Sequence, residues 1–183
     1  DAALFLREQH RVSMEEIESV TALLDERQFG VVADPIESKR VPQSEYDAKF
    51  SVPYAVATAL VKGRFGLAEL EDAARLNSDV LALAQRIHCE HDARSCYPDA
   101  FSGGVRIITK DGRVLAHFEE INRGAAGRLL GAEQVYEKFM ANCALTISTE
   151  RAEALWESLQ RMDELEDVTA LMALLRTETN KAN

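Results

Sequence analysis

The stretch Gly104-Val-Arg-Ile-Ile-Thr-Lys-Asp-Gly-Arg-Val-Leu-Ala-His-Phe-Glu-Glu-Ile121 decides the fold class. Val105, Ile107 and Ile108 on one arm face Val114, Leu115, Ala116 and Phe118 on the other, with Asp111-Gly112 between them. Asp-Gly between two β-rich arms is the strongest short-range hairpin signal, because a tight turn needs backbone that Gly adopts without strain. Working outward, Ile17 to Leu24 reads as a strand with mixed alternation, preceded by the capping-box pattern Ser13-Met-Glu-Glu16. Ile87 to Asp92 reads as another strand. Residues 1 to 11 carry helical spacing in Ala3, Leu4 and Leu6, and Glu69 to Ala84 carries it again, broken where Asn77-Ser78 caps a second helix. From Ala132 the chain reads as helical. Val135, Phe139, Cys143 and Leu145 line one stripe, with Cys143 in the core, Ser148 or Thr149 caps the next helix, and Asp167 caps a last one through Leu175. Strands in the middle with helices on both sides predict an α+β domain: a small antiparallel or mixed sheet, a central hairpin and helices packed on it. The expected organisation is one domain over 1–176, with a frayed tail at 177–183 and a long polar connection over 25–48.

A second stretch points to where a ligand would be met. Asp47-Ala-Lys-Phe-Ser-Val-Pro-Tyr-Ala-Val-Ala-Thr-Ala-Leu-Val-Lys-Gly63 predicts a helix entered through Ser51 as N-cap and closed by Gly63 in the left-handed stop. Ala55, Ala57 and Ala59 replace the usual Leu and Ile, so another backbone is expected to pack close. Lys49, Ser51 and Tyr54 then stand at the mouth of a rigid element. Tyr54 is read either as a hydrogen-bond donor or acid toward a substrate, or as a ring that fills core space. Lys49 suits a carboxylate or open solvent, and Ser51 reads first as the cap.

Composition narrows the partners. The net charge of −10 argues against nucleic acid or an anionic membrane surface, both of which need a basic face. No apolar run approaches the ~20 residues that span a bilayer. Three well-spaced cysteines, Cys89, Cys96 and Cys143, suggest free thiols and a reducing, cytoplasmic setting. The cluster His88-Cys89-Glu-His91-Asp92 lacks the paired spacing of a closed zinc site, so no metal is expected there. Arg123-Gly-Ala-Ala-Gly-Arg128 is a small-residue loop between two arginines. Its guanidinium forks suit a carboxylate or phosphate, and a mobile surface loop is the other reading. The chain opens at Asp1 already inside a helical pattern, which is read as a piece of a longer protein.

The run Ala48-Lys49-Phe50-Ser51-x-Pro53-Tyr54 leading through Ala57, Ala59 and Leu60 to Gly63 resembles the MmgE/PrpD family. Asp1-Ala2-Ala3-Leu4, His10, Glu15 to Val20, Tyr97-Pro98, the hairpin Val105 to His117, Glu137-Lys138-Phe139 and the ending from Leu165 to Leu175 extend the resemblance in order over nearly the whole chain. One departure is Leu129-Leu130-Gly131, where the family usually has a Gly- and Pro-bearing loop.

The resemblance implies a lid-like C-terminal domain of an enzyme that acts on small di- or tricarboxylates without a cofactor. Such enzymes remove a proton α to a carboxylate, after which water or CO2 leaves or the centre epimerises. The chemistry needs a base, an acid and cations that hold carboxylates. The resemblance implies that an upstream helical domain supplies most of these, while this domain closes one wall of the cleft. That wall would bring Tyr54 as catalytic residue and Lys49, Ser51, Arg123 and Arg128 as substrate-binding residues. A 2-methylcitrate dehydratase-like lyase is the first expectation and an iminodisuccinate-type epimerase the alternative. The family also implies a homodimer. The contrasting class is a non-catalytic module that binds a partner through the face a helical domain would cover.

Overall fold

Four strands, β1 (Ile17–Leu24), β2 (Ile87–His91), β3 (Gly103–Thr109) and β4 (Val114–Glu119), make one mixed sheet in the order β2-β1-β3-β4 in the computed structural model, which describes residues 1–176. The tail 177–183, expected to fray, lies outside the described residues. β1 and β2 run parallel, with Val20 beside Ile87 and Leu24 beside His91. β3 is antiparallel to β1 and to β4, with Val20 beside Ile107 and Ile107 beside Leu115. The hairpin forms where Asp-Gly predicts it. Gly112 takes φ +86° and donates its N–H to Thr109 O at 2.8 Å, a backbone state that favours glycine.

Helix α1 (Ala2–His10) precedes β1. The segment 25–48, expected as irregular connection, folds into three short helices, α2 (Glu26–Val32), α3 (Ile36–Arg40) and α4 (Glu45–Lys49). Asp25 caps the first by accepting from Arg27 N, and Ser44 caps the third by accepting from Asp47 N. Each of these helices is five to seven residues long, too short to show a periodic apolar face. Helix α5 (Val52–Lys62) follows, as the sequence predicts. Ser51 accepts from Tyr54 N at 3.1 Å, and Gly63 closes the helix at φ +72°. A 3-10 turn (Leu67–Leu70), α6 (Asp72–Arg75) and α7 (Ser78–Ala84) complete the run, with Asn77 accepting from Val80 N.

Helices α1, α5 and α7 cover one face of the sheet. Leu6, Val20, Tyr54, Ala57, Leu83, Ile87 and Ile107 meet there with essentially no exposed surface. Ala57 and Ala59 are buried as the small-residue pattern requires, and Ala55 is half-buried. The other face of the sheet carries polar groups, among them Arg106, which reaches Glu90 at 2.9 Å.

The described chain divides into two compact units, Asp1–Leu129 and Leu130 onward, where the sequence predicts one domain through 176. The second unit holds α8 (Ala132–Cys143), α9 (Thr149–Gln160), a 3-10 turn (Met162–Glu164) and α10 (Thr169–Leu174). Trp156 takes Tyr136 and Phe139 against its ring at 5.1 and 5.2 Å between centroids, and Leu155 is buried. Helix α8 has no fully buried residue, so Cys143, expected in a core, is half-buried. Ser148 caps α9 as predicted, and Asp167 Oδ1 accepts from Thr169 N at 2.9 Å at the start of α10.

Candidate functional site

The entrance to α5 is built by its flanks. Ser51 is buried, and its hydroxyl donates to Lys39 O while accepting from Tyr54 N. The same Lys39, in α3, donates its Nζ to Phe50 O at 2.8 Å. These bonds lash α3 to the start of α5. Ser51 therefore acts as the cap and offers no free group to a ligand.

Tyr54 does not face the mouth of the helix. Its side chain has no exposed surface, its hydroxyl donates to Glu69 O at 2.5 Å, and Phe65 meets its ring edge-on at 6.2 Å. The reason is periodic: position 54 shares a helical stripe with Ala57 and Thr58, both of which are buried in the core. Burial pushes the phenol pKa up, against the opposing pull of the Thr58 hydroxyl and the Arg75 charge. The group is thus a neutral donor held in place.

Around it lies a buried polar network that the sequence reading missed. Glu69 is 5% exposed and accepts from Gly66 N at 2.9 Å and Arg64 Nε at 2.6 Å. Arg75 is 8% exposed and donates to Pro42 O at 2.7 Å and Asp72 Oδ1 at 2.6 Å. Thr58 Oγ1 and Arg75 Nε are buried without a hydrogen-bond partner among the described residues. The Gly-x-x-Glu spacing of 66–69 was the available signal for Glu69.

Lys49 closes α4 and pairs with Glu45 at 2.6 Å on the surface. Arg123 and Arg128 stand elsewhere. They converge on the carboxylate of Asp1: Arg123 supplies its backbone N–H at 2.9 Å and its guanidinium at 3.1 Å, and Arg128 approaches to 3.6 Å. Arg128 also binds Glu119 Oε2 at 2.5 Å, and Glu119 reaches His117 at 3.1 Å. The loop thus holds a carboxylate as its residue types suggest, and that carboxylate belongs to its own chain. Among the described residues no hydrogen bond or ion pair joins this pair to the group at Lys49, Ser51 and Tyr54.

A matched device at the ends of the parallel strands also escaped the sequence reading. Asp25-Glu-Arg27 follows β1 and Asp92-Ala-Arg94 follows β2, and in each the aspartate accepts from both the amide and the guanidinium of its arginine. Arg27 lies over the Tyr97 ring at 4.5 Å and Arg94 over Phe118 at 4.3 Å. The signal was the repeated Asp-x-Arg directly after an apolar strand. The Arg27 bonds hold Asp25 down to about 2, from an ordinary 3.8. A folded pKa below the unfolded one gives stability that is present above ~4 and is lost as pH falls toward about 2. Urea unfolding across that range is expected to show the gap between the native chain and Asp25→Asn closing as pH falls.

One cavity lies beside this framework. It has a volume of about 360 Å³, between α2, α3 and β2, and Phe29, Ile36, Arg40 and Cys89 are among its walls. Burial pushes the Cys89 thiol up to about 11, so it is protonated at neutral pH and is no thiolate nucleophile. Along β2, Cys89 and His91 lean to one side, with His91 against Phe29 at 4.2 Å, while His88 is exposed. Among the described residues no three His, Cys, Asp or Glu side chains converge as metal ligands. No helix among them is long and apolar enough to cross a membrane.

The family model of the MmgE/PrpD C-terminal domain matches residues 1–164. Cis-aconitate decarboxylase from Mus musculus is 24% identical over 138 residues, covering 74% of this chain and 28% of that protein. The Homo sapiens cis-aconitate decarboxylase is 23% identical over 141 residues, with the same two coverages. The chain thus spans a little over a quarter of the length of these relatives. A family match running from α1 to residue 164, within the second unit, is the ground for the assignment: the chain belongs to the MmgE/PrpD family, as its C-terminal domain.

Proposed function

We propose that this chain is the C-terminal domain of a lyase that acts on small di- or tricarboxylates, by elimination of water or CO2. The observation that carries the reading is the family match over 1–164, supported by two relatives named for decarboxylation of a tricarboxylate. On this reading the domain forms a wall of the active-site cleft, and an upstream helical domain brings the base. Three exposed cations suit the substrate's carboxylates: Lys49, Arg123 and Arg128. Each is held by a carboxylate of its own chain, which a substrate carboxylate would replace. Tyr54 and Ser51 act by fixing α5 rather than by touching substrate.

The test is a turnover assay on the longer polypeptide that contains this chain, with 2-methylcitrate, cis-aconitate and iminodisuccinate as substrates. CO2 release, ene-product absorbance and optical rotation separate decarboxylation, dehydration and epimerisation. Elimination from a tricarboxylate is expected from the longer protein and none from the 183-residue chain alone. Turnover by the isolated chain, or rotation change without elimination, would overturn the proposal.

A further inference from the structure

We propose that Asp111 is a modification site that the folded hairpin holds shut: once the turn opens, the Asp111–Gly112 linkage converts to isoaspartate. The chain has one Asp-Gly step and no Asn-Gly step. Glycine after aspartate leaves this reaction least hindered, because no side chain shields its nitrogen. The step is exposed at the tip between β3 and β4, and a Cβ on Gly112 would meet no atom within 4 Å. Both ring closure and water have room there.

The conversion needs no co-reactant but water. Gly112 N attacks Asp111 Cγ and loses its proton, while the carboxyl hydroxyl takes up a proton and leaves as water. The product is a five-membered imide. Water then adds to one of its two carbonyls. Addition at Cγ restores aspartate. Addition at the main-chain carbonyl leaves Gly112 bonded through Cγ, which is isoaspartate. The mass returns to its starting value and the backbone gains one methylene. That extra atom lengthens the loop closed by the Gly112–Thr109 and Thr109–Arg113 bonds, so the converted hairpin is expected to refold less stably.

Ring closure needs a neutral carboxyl, a side chain free to turn and a Gly112 nitrogen free to attack. The fold opposes all three. Thr109 Oγ1 donates to Asp111 Oδ1, and Arg113 Nε donates to Oδ2 at 2.8 Å, so both carboxyl oxygens are engaged. The Thr109 hydroxyl first, and then the Arg113 guanidinium, hold the carboxyl below its ordinary range and so keep it ionised. Arg113 is itself fixed by Glu16 at 3.0 Å. Gly112 N is spent on Thr109 O at 2.8 Å, and Lys110 N on Glu16 O at 2.8 Å, so the turn is bonded on both sides of Asp111. These contacts lie at an exposed hairpin tip, where local opening costs less than global unfolding.

Ageing of the 183-residue chain at mildly acid pH, folded in buffer and unfolded in guanidinium chloride, tests this. Isoaspartate at 111 is read by peptide mapping, since a β-linked residue resists an aspartate-directed protease. Asp111→Glu, whose ring would have six members, is the blank. The unfolded chain is expected to convert about 10-fold or more faster than the folded one, because only the opened turn reacts. Arg113→Ala loses only exposed ion pairs, so it should keep the native Tm. Folded, it is expected to convert about 2- to 5-fold faster than the native chain. In denaturant the two should convert at nearly the same rate, which assigns the effect of Arg113 to the fold. No isoaspartate at 111 in the unfolded chain overturns the proposal. So does a folded rate equal to the unfolded one, or an Arg113→Ala chain that converts no faster than the native chain.

Discussion

Tyr54→Ala is expected to lower the stability of the first unit by about 3–5 kcal/mol, the range for removing a large buried aromatic side chain. The ring has no exposed surface, and its stripe on α5 packs with Leu6, Leu83, Ile87 and Ile107 in one core. Nothing beside it is mobile enough to fill the space: Ala57 and Ala59 are small, and Pro53 is fixed at the helix start. Tyr54→Phe keeps the ring and removes only the donor to Glu69 O. That change is expected to cost about 1–2 kcal/mol, because a buried carbonyl loses its partner. Urea unfolding of both variants measures the two numbers. Equal losses would mean that the hydroxyl, not the ring, is what holds α5. In the longer protein, Tyr54→Phe should leave the shape of the pH–rate profile unchanged if the phenol only fixes the helix. Loss of one limb of that profile would make it a proton donor.

Gly104→Val is expected to cost on the order of 3 kcal/mol, the upper end of the usual penalty for overpacking. Gly104 lies in β3 opposite Phe118 of β4 and Leu23 of β1. A Cβ there would meet Phe118 Cδ2 at 2.8 Å, His117 O at 3.0 Å and Leu23 Cδ1 at 3.3 Å. The Phe118 ring is itself packed under Arg94, and the carbonyl belongs to the neighbouring strand, so neither yields without moving β4. Two branched methyls worsen the clash. Thermal unfolding gives the magnitude, and loss of amide protection along Val114–Glu119 would locate it in the hairpin. A change under 0.5 kcal/mol would show that β4 can shift away freely.

Much of the fold is legible from local chemistry. The hairpin at Asp111-Gly112, the strand Ile17–Leu24, the cap at Ser51, the stop at Gly63 and the caps at Asn77 and Ser148 all follow from residue types within a few positions of each other. The three helices over 25–49 were not legible, because each is only about one to two turns long and is held by contacts such as Lys39 to Phe50 O rather than by a periodic apolar face. The division near Leu129 is not legible for another reason: a hairpin followed by helices reads as one α+β run in sequence, and only packing sets the helices from Leu130 onward apart as a unit.

The candidate site divides in the same way. Sequence alone fixed which residue types stand where: a tyrosine on the first turn of a small-residue helix, two arginines bounding a glycine loop, an Asp-x-Arg after each parallel strand. The family assignment rests on that ordered set too, since it needs only residues in register along the chain. Tertiary structure decided which of those groups are free. It turned Tyr54 into the core because its helical stripe is the buried one, and set Asp1 between Arg123 and Arg128 across more than a hundred residues of chain. It also left β4 with an unpaired edge while Arg40 closed the edge of β2. Burial, ion pairing and edge exposure are long-range properties, set by which surfaces meet, and no short window of sequence contains them.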